Sequence, residues 1–166
     1  YQAIGSGYLG KIPIPVIILI AVLLLGWFIL NKTRFGRHVL AVGGNEQAAR
    51  VSGINTKLVK ITVYIMSGIF SAIAGMIISA RVNAGSPTLG TGYENDAIAA
   101  AVIGGTSMMG GQGSMIGTIG GILIIGVMNN GLDLLNVSSY YQQVAKGIII
   151  IAAVLFDMLS KSRKSK

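Results

Sequence analysis

The sequence predicts an all-α fold, a polytopic α-helical membrane bundle with five spans, and three observations lead there. Hydrophobic residues make up 52% of the 166 positions and charged residues only 11%, with a mean hydropathy of +0.72. A soluble domain of this size covers its core with roughly a quarter charged residues. Four apolar stretches, 12–30, 61–80, 114–130 and 144–160, approach the ~20 residues that cross about 30 Å of hydrocarbon as a helix. Ten of the thirteen lysines and arginines lie either in residues 31–60 or in the tail from Lys161 to Lys166, the clustering expected of cytoplasmic segments.

The first span, 12–30, leads into a basic loop with Lys32, Arg34, Arg37, Arg50, Lys57 and Lys60 against one acid, Glu46. Within this 31–60 loop, GGNEQAARVSGI carries helix punctuation. Asn45 is placed to cap a short helix over Glu46 to Ser52, with Gly53 as its left-handed stop and Ile54 folding back against it. So short a helix is marginal alone in water. It is expected to dock, either on its own bundle or on a partner.

The 61–80 span carries Ser67, Ser71 and Gly75 at four-residue spacing, a small-residue face suited to close helix packing. After it, Thr91-Gly-Tyr-Glu94 has capping-box spacing, with Thr91 as the expected N-cap; Glu94 and Asp96 then favour helix initiation at the outer surface.

Charge parity decides the next crossing. If the 31–60 loop and the tail share the cytoplasmic side, an odd number of spans must follow 61–80, and the two long stretches alone give an even number. The short segment 97–109 is therefore expected to cross as a broken helix, with Gly104 and Gly105 loosening it and the hydroxyls of Thr106 and Ser107 satisfying freed backbone groups.

The glycines that follow are not a phosphate loop. Gly105 and Gly110 have Walker A spacing, but Gly111 stands where that motif needs lysine. No preceding strand suggests a dinucleotide fold either. Gly113, Gly117 and Gly121 instead form a GxxxGxxxG helix-packing face. The loop 131–143 lacks Lys and Arg and contains Tyr140 and Tyr141, as expected of an outer, interfacial segment. Lys146, just inside the last span, is expected to reach back to the outer headgroups.

Composition also excludes functions. The chain has no cysteine and one histidine, His38, so thiolate metal sites and an imidazole cluster are ruled out within it, and for a nucleophile with a positioned base it supplies one loop histidine and no cysteine. His38 reads as a solvated loop residue. Basic residues without an aromatic-and-basic face give no nucleic-acid surface. The chain opens on Tyr1 and shows no cationic n-region with a cleavable apolar core.

Three runs carry a resemblance: GRHVLAVGGNEQAARVSGI, TGYENDAIAAAVIGGTSMMGGQGSMIGT and NNGLDLLNVSSYYQQVAKGI. In order and over essentially all 166 residues, the sequence resembles the permease subunits of bacterial ABC importers for monosaccharides, nearest their ribose-transporting members. It corresponds to the C-terminal half of that transmembrane domain. The resemblance implies a multi-pass bacterial inner-membrane protein with its C-terminus cytoplasmic, working as a homodimer. It implies an extracytoplasmic sugar-binding protein outside and an ATPase subunit inside, which binds ATP, so this chain needs no cofactor or metal and is no enzyme. The 31–60 loop would hold the coupling helix, with Gly44, Asn45, Glu46, Ala48, Ala49, Arg50 and Gly53 meeting the ATPase.

Pathway residues are open. Asn83, Thr106, Ser107, Asn129 and Asn130 suit hydrogen bonds to sugar hydroxyls and equally suit stitching helices together. A rival reading is a secondary transporter or channel for a small polar solute. It normally requires paired ionisable groups within the membrane, and the sequence places no carboxylate near the middle of a span.

Overall fold

The computed structural model describes residues 5–164, apart from the side chains of 156, 157 and 159–164. It comprises two compact units, Tyr1–Thr91 and Gly92–Lys166.

The first unit begins with a minimal antiparallel pair, β1 (Tyr8–Leu9) and β2 (Ile12–Pro13), with Tyr8 opposite Pro13 and Leu9 opposite Ile12. This pair is a small departure from an all-α chain. Helix α1 (Ile14–Lys32) follows, with Pro15 in the first turn, where a missing N–H costs nothing. Its 19 residues bury no side chain within the unit.

At Thr33 the chain turns a corner. The Thr33 hydroxyl donates to the Ile29 carbonyl at 2.6 Å and accepts from the Gly36 amide at 3.1 Å. Helix α2 (Arg34–Gly44) starts there, in a segment whose sequence reads only as loop. Phe35, Val39 and Val42 recur at helical spacing and form its packing face. Gly36 permits the turn, because a Cβ would overlap the carbonyl oxygens of Leu30 and Ile29.

Asn45 caps α3 (Glu46–Val51) by accepting from the Ala48 amide at 2.9 Å. Asn55 caps α4 (Thr56–Val82) through the Leu58 amide. Val42, Ala49 and Val59 form one small buried cluster, with Phe35, Val39 and Ile54 packed on it. Helices α2, α3 and the start of α4 are therefore one folded platform.

In the second unit, α5 (Tyr93–Ile103) has only 11 residues, about 16 Å of rise. Gly105 at φ +84° stops it; its amide donates to the Val102 carbonyl and that of Thr106 to Ala101, a Schellman closure. Residues 104–114 are irregular, and α6 (Met115–Leu134) follows, capped by the Ser114 hydroxyl. Asn136 at φ 53° closes α6 in the same way, and α7 (Ser139–Lys164) completes the unit.

Helices α5 and α6 run antiparallel. Gly104 abuts Gly117, and Ala100 abuts Gly121; a Cβ on Gly117 or Gly121 would overlap the carbonyl oxygen opposite. Ala99, Ala100 and Ile125 form the buried centre, joined by Ile103, Met128 and Ile150.

Among the described residues, α1, α4 and α6 are long and apolar enough to cross a membrane, and α7 offers a shorter apolar segment, Ser139–Leu155. The segment 97–109, expected to cross as a broken helix, lies in a short helix ended by Gly105 plus a loop and is not among the helices long enough to span. The capping expectation also shifts. Gly92, at φ +89°, is the N-cap of α5, and Glu94 accepts from the Gly92 amide at 3.0 Å, while the Thr91 hydroxyl donates to Thr88. Glycine's access to positive φ moved the helix start one residue on.

Candidate functional site

The platform of α2, α3 and α4 presents a short, rigidly held helix. Its first turn is fixed by the Asn45 cap. Its last turn is fixed by Gly53 at φ +84°, whose amide donates to the Arg50 carbonyl at 3.1 Å, while the Ile54 amide donates to Ala49 at 3.0 Å. Ile54 then folds back onto the cluster, the apolar contact that accompanies this closure.

The seating separates the candidate contact residues. Ala49 is 5% exposed and packs inward in the same buried cluster as Val42 and Val59, so its methyl backs the helix from inside and does not form part of the exposed face. Gly44, Asn45, Ala48, Arg50 and Gly53 remain exposed, and so do Gln47 and Val51, which the sequence reading passed over. Val51 is 86% exposed. An exposed valine on a capped helix is an apolar contact that the placing of small and charged residues does not reveal.

Glu46 is committed within the chain. Its carboxylate accepts from the Lys60 ammonium at 2.6 Å, tying α3 to the first turns of α4. That bond, with the charge of Lys60, Thr56 and the charge of Arg50 adding to it, holds the Glu46 pKa below its ordinary 4.5. Arg50 is thus the candidate with an exposed charge to offer, whereas Glu46 orients the helix. His38 is exposed.

A second polar cluster lies in the α5–α6–α7 unit. The Lys146 ammonium is 2.7 Å from Oδ1 of Asp96, with side chains only 14% and 19% exposed. Nδ2 of Asn129 donates to the other carboxylate oxygen at 3.0 Å. The contact to Oδ1 is an ion pair rather than an aligned hydrogen bond, and Oδ1 of Asn129 is buried without a hydrogen-bond partner. Two expectations change here. Lys146 points to Asp96 instead of outer headgroups, and Asp96 does more than start a helix. The readable signal was the lysine itself, since an ammonium among apolar residues requires a counter-charge.

The other candidates are dispersed. Thr106 and Ser107 fold the 104–114 loop: Ser107 is 7% exposed and its hydroxyl accepts from the Met109 amide at 3.2 Å. Asn83 ends α4 at φ 54°, and Asn130 is exposed beside Ile122, Leu123, Gly126 and Val127 along a shallow groove of about 430 Å³. Of the glycine face, Gly117 and Gly121 pack on α5, while Gly113 precedes α6 and meets only Thr106 at ordinary contact distance. Ser67, Ser71 and Gly75 are exposed on α4, and open space surrounds Gly75.

No group of three or more His, Cys, Asp or Glu suited to a metal occurs among the described residues. Long apolar helices, a capped surface helix and polar pairs between helices define a helical membrane protein of several spans. Residues 2–154 match the family described as the branched-chain amino acid transport system permease component, and the chain belongs to that permease family. It is 51% identical over 157 residues to the ribose import permease of Bacillus subtilis (strain 168), covering 95% of this chain and 49% of that one. It is 53% identical over 153 residues to the ribose import permease of Escherichia coli (strain K12), covering 92% and 48%. It is 48% identical over 152 residues to the xylose transport system permease of Haemophilus influenzae, covering 92% and 40%. The chain thus spans about half the length of the curated relatives it matches. No solved structure matches it.

Proposed function

We propose that this chain is the C-terminal half of the membrane-embedded subunit of an ATP-driven monosaccharide importer, with ribose as its cargo. The observation that carries the reading is the α3 platform, in a chain about half identical to ribose import permeases. A two-turn helix capped at both ends and backed by buried Val42 and Val59 transmits a push as a body. Its outward residues Gln47, Ala48, Arg50 and Val51 are the proposed seat of the ATPase subunit. ATP binding and hydrolysis on that partner would shift the population between inward- and outward-open packings.

In this reading five segments cross the bacterial inner membrane: α1, α4, α5 with the 104–114 loop, α6 and α7. The platform and the basic tail are cytoplasmic, and the sugar-binding protein docks on the opposite side. A second permease subunit completes the pore, and the exposed Ser67–Ser71–Gly75 line is available for packing. Cysteine-labelling from each side checks the layout; finding residues 45–53 and the tail on opposite faces would overturn it.

The coupling reading is tested in the assembled transporter with Arg50→Glu and Val51→Asp. Both are expected to lower ATPase co-purification and ribose uptake together while the membrane level of the subunit stays constant. Unchanged uptake and unchanged ATPase binding would refute it. Ribose moving down an ion gradient in liposomes without any ATPase would instead favour the secondary-transporter reading, to which the Asp96–Lys146 pair lends the ionisable groups.

A further inference from the structure

We propose that Asp96 and Lys146 are positioning residues that set the register of α7 on the α5–α6 hairpin, at a seam where aliphatic packing leaves several registers nearly equivalent.

The α5–α6 register needs no such device. Gly104 faces Gly117 and Ala100 faces Gly121 so closely that only hydrogen fits on the glycines. Sliding either helix brings a side chain into that space.

Helix α7 has no comparable fit. Its packing segment reads GIIIIAAV over residues 147–154, with Ile150 against Ala99, Ala100 and Ile125. A slip of four residues, about 6 Å, replaces Ile150 by Val154, one methylene smaller and the mildest of large-to-small changes. Lipid adds little discrimination, because an isoleucine turned towards acyl chains loses no hydrophobic energy.

The charges discriminate strongly. Between Ser139 and Leu155, Lys146 is the sole charged residue of α7. The same slip would carry its ammonium out of the 2.7 Å contact and strand a carboxylate that is 19% exposed. An unpaired charge in such surroundings costs far more than the intact pair returns, which is how buried polar groups specify register. The carboxylate cannot follow, because Asn129 on α6 holds its second oxygen. Asn129 leaves its own Oδ1 unpartnered in doing so, so its amide is oriented for Asp96. The bonds from Gln142 to Asp133 and to the Val137 carbonyl sit in the first turn of α7, and they are kept in every variant of the test below.

The test is cross-linking in the full-length protein in its own membrane, with any cysteine outside these 166 residues replaced, since this sequence itself contains none. Ile125→Cys is paired with Ile150→Cys or with Val154→Cys. With Asp96 and Lys146 intact, the pair at 150 is expected to dominate. In Asp96→Asn/Lys146→Met, which carries no stranded charge, the ratio of 150 to 154 cross-links should fall by roughly fivefold or more. The charge swap Asp96→Lys/Lys146→Asp should restore it. An unaltered ratio in the neutral double variant, or a swap that fails to restore it, would overturn the proposal. Because the readout is geometric, its failure is distinguishable from failure of the transport reading.

Discussion

Lys60 closes a 2.6 Å ion pair with Glu46 across fourteen residues of sequence, and with it the start of α4 is joined to the start of α3. The carboxylate's pKa is held low by that ammonium, and the sign of the pH effect follows. A carboxylate with a depressed folded-state pKa adds stability that is fully present above its unfolded value and is lost as pH falls through the folded one. In detergent, the melting difference between the parent and Glu46→Gln should be flat above the ordinary value of 4.5 and should close as pH falls below it. A difference that grew on acidification would contradict the pairing. Both side chains are about half exposed, so salt should shrink the same difference.

Gly121 and Gly126 lie five residues apart on α6 in opposite circumstances. A Cβ at Gly121 would overlap the Ala100 carbonyl, whereas Gly126 has open space around it. Gly121→Ala should cost about 1–3 kcal/mol by overpacking. Gly126→Ala should be neutral or gain about 0.5–1 kcal/mol from the lower cost of ordering alanine in a helix. Thermal unfolding of the solubilised subunit reads both, and equal effects would refute the packed α5–α6 seam.

Gly53 holds φ +84° at the close of α3, a conformation that costs an ordinary L-residue about 1–2 kcal/mol. Gly53→Ala should therefore loosen the platform although nothing lies within 4 Å of the added methyl. Asn45→Ala, which removes the cap at the other end, should cost about 1 kcal/mol. Hydrogen exchange of the amides of residues 46–54 is the measurement: faster exchange there, with α6 unaffected, is the expected pattern.

These elements differ in how far the sequence revealed them. Local punctuation was readable: Asn45 as cap and Gly53 as stop are decided by residues within a turn of each other. Helix α2 was not. Its basic residues and three glycines resemble loop chemistry, and only the later contact of Phe35, Val39 and Val42 with Ala49 and Val59 gives its apolar face a purpose. Thr91 has the cap chemistry, but the choice between two adjacent caps depends on Gly92 adopting positive φ, which no local residue pattern displays. Ala49 reads as a contact from sequence because its small size suits close seating equally well from inside or outside, and the burial against Val42 and Val59 is what decides its face. The Asp96–Lys146 pair spans fifty residues, beyond any local pattern, although an isolated lysine in an apolar run announced that a partner existed somewhere.

At Thr33, a single oxygen grips the last turn of one helix and the first turn of the next. Such a joint works as an elbow with a fixed angle: torque applied to α2 is delivered to α1 instead of being dissipated in a slack connector. Serine at this position keeps the linkage, while valine, of the same shape, disengages it.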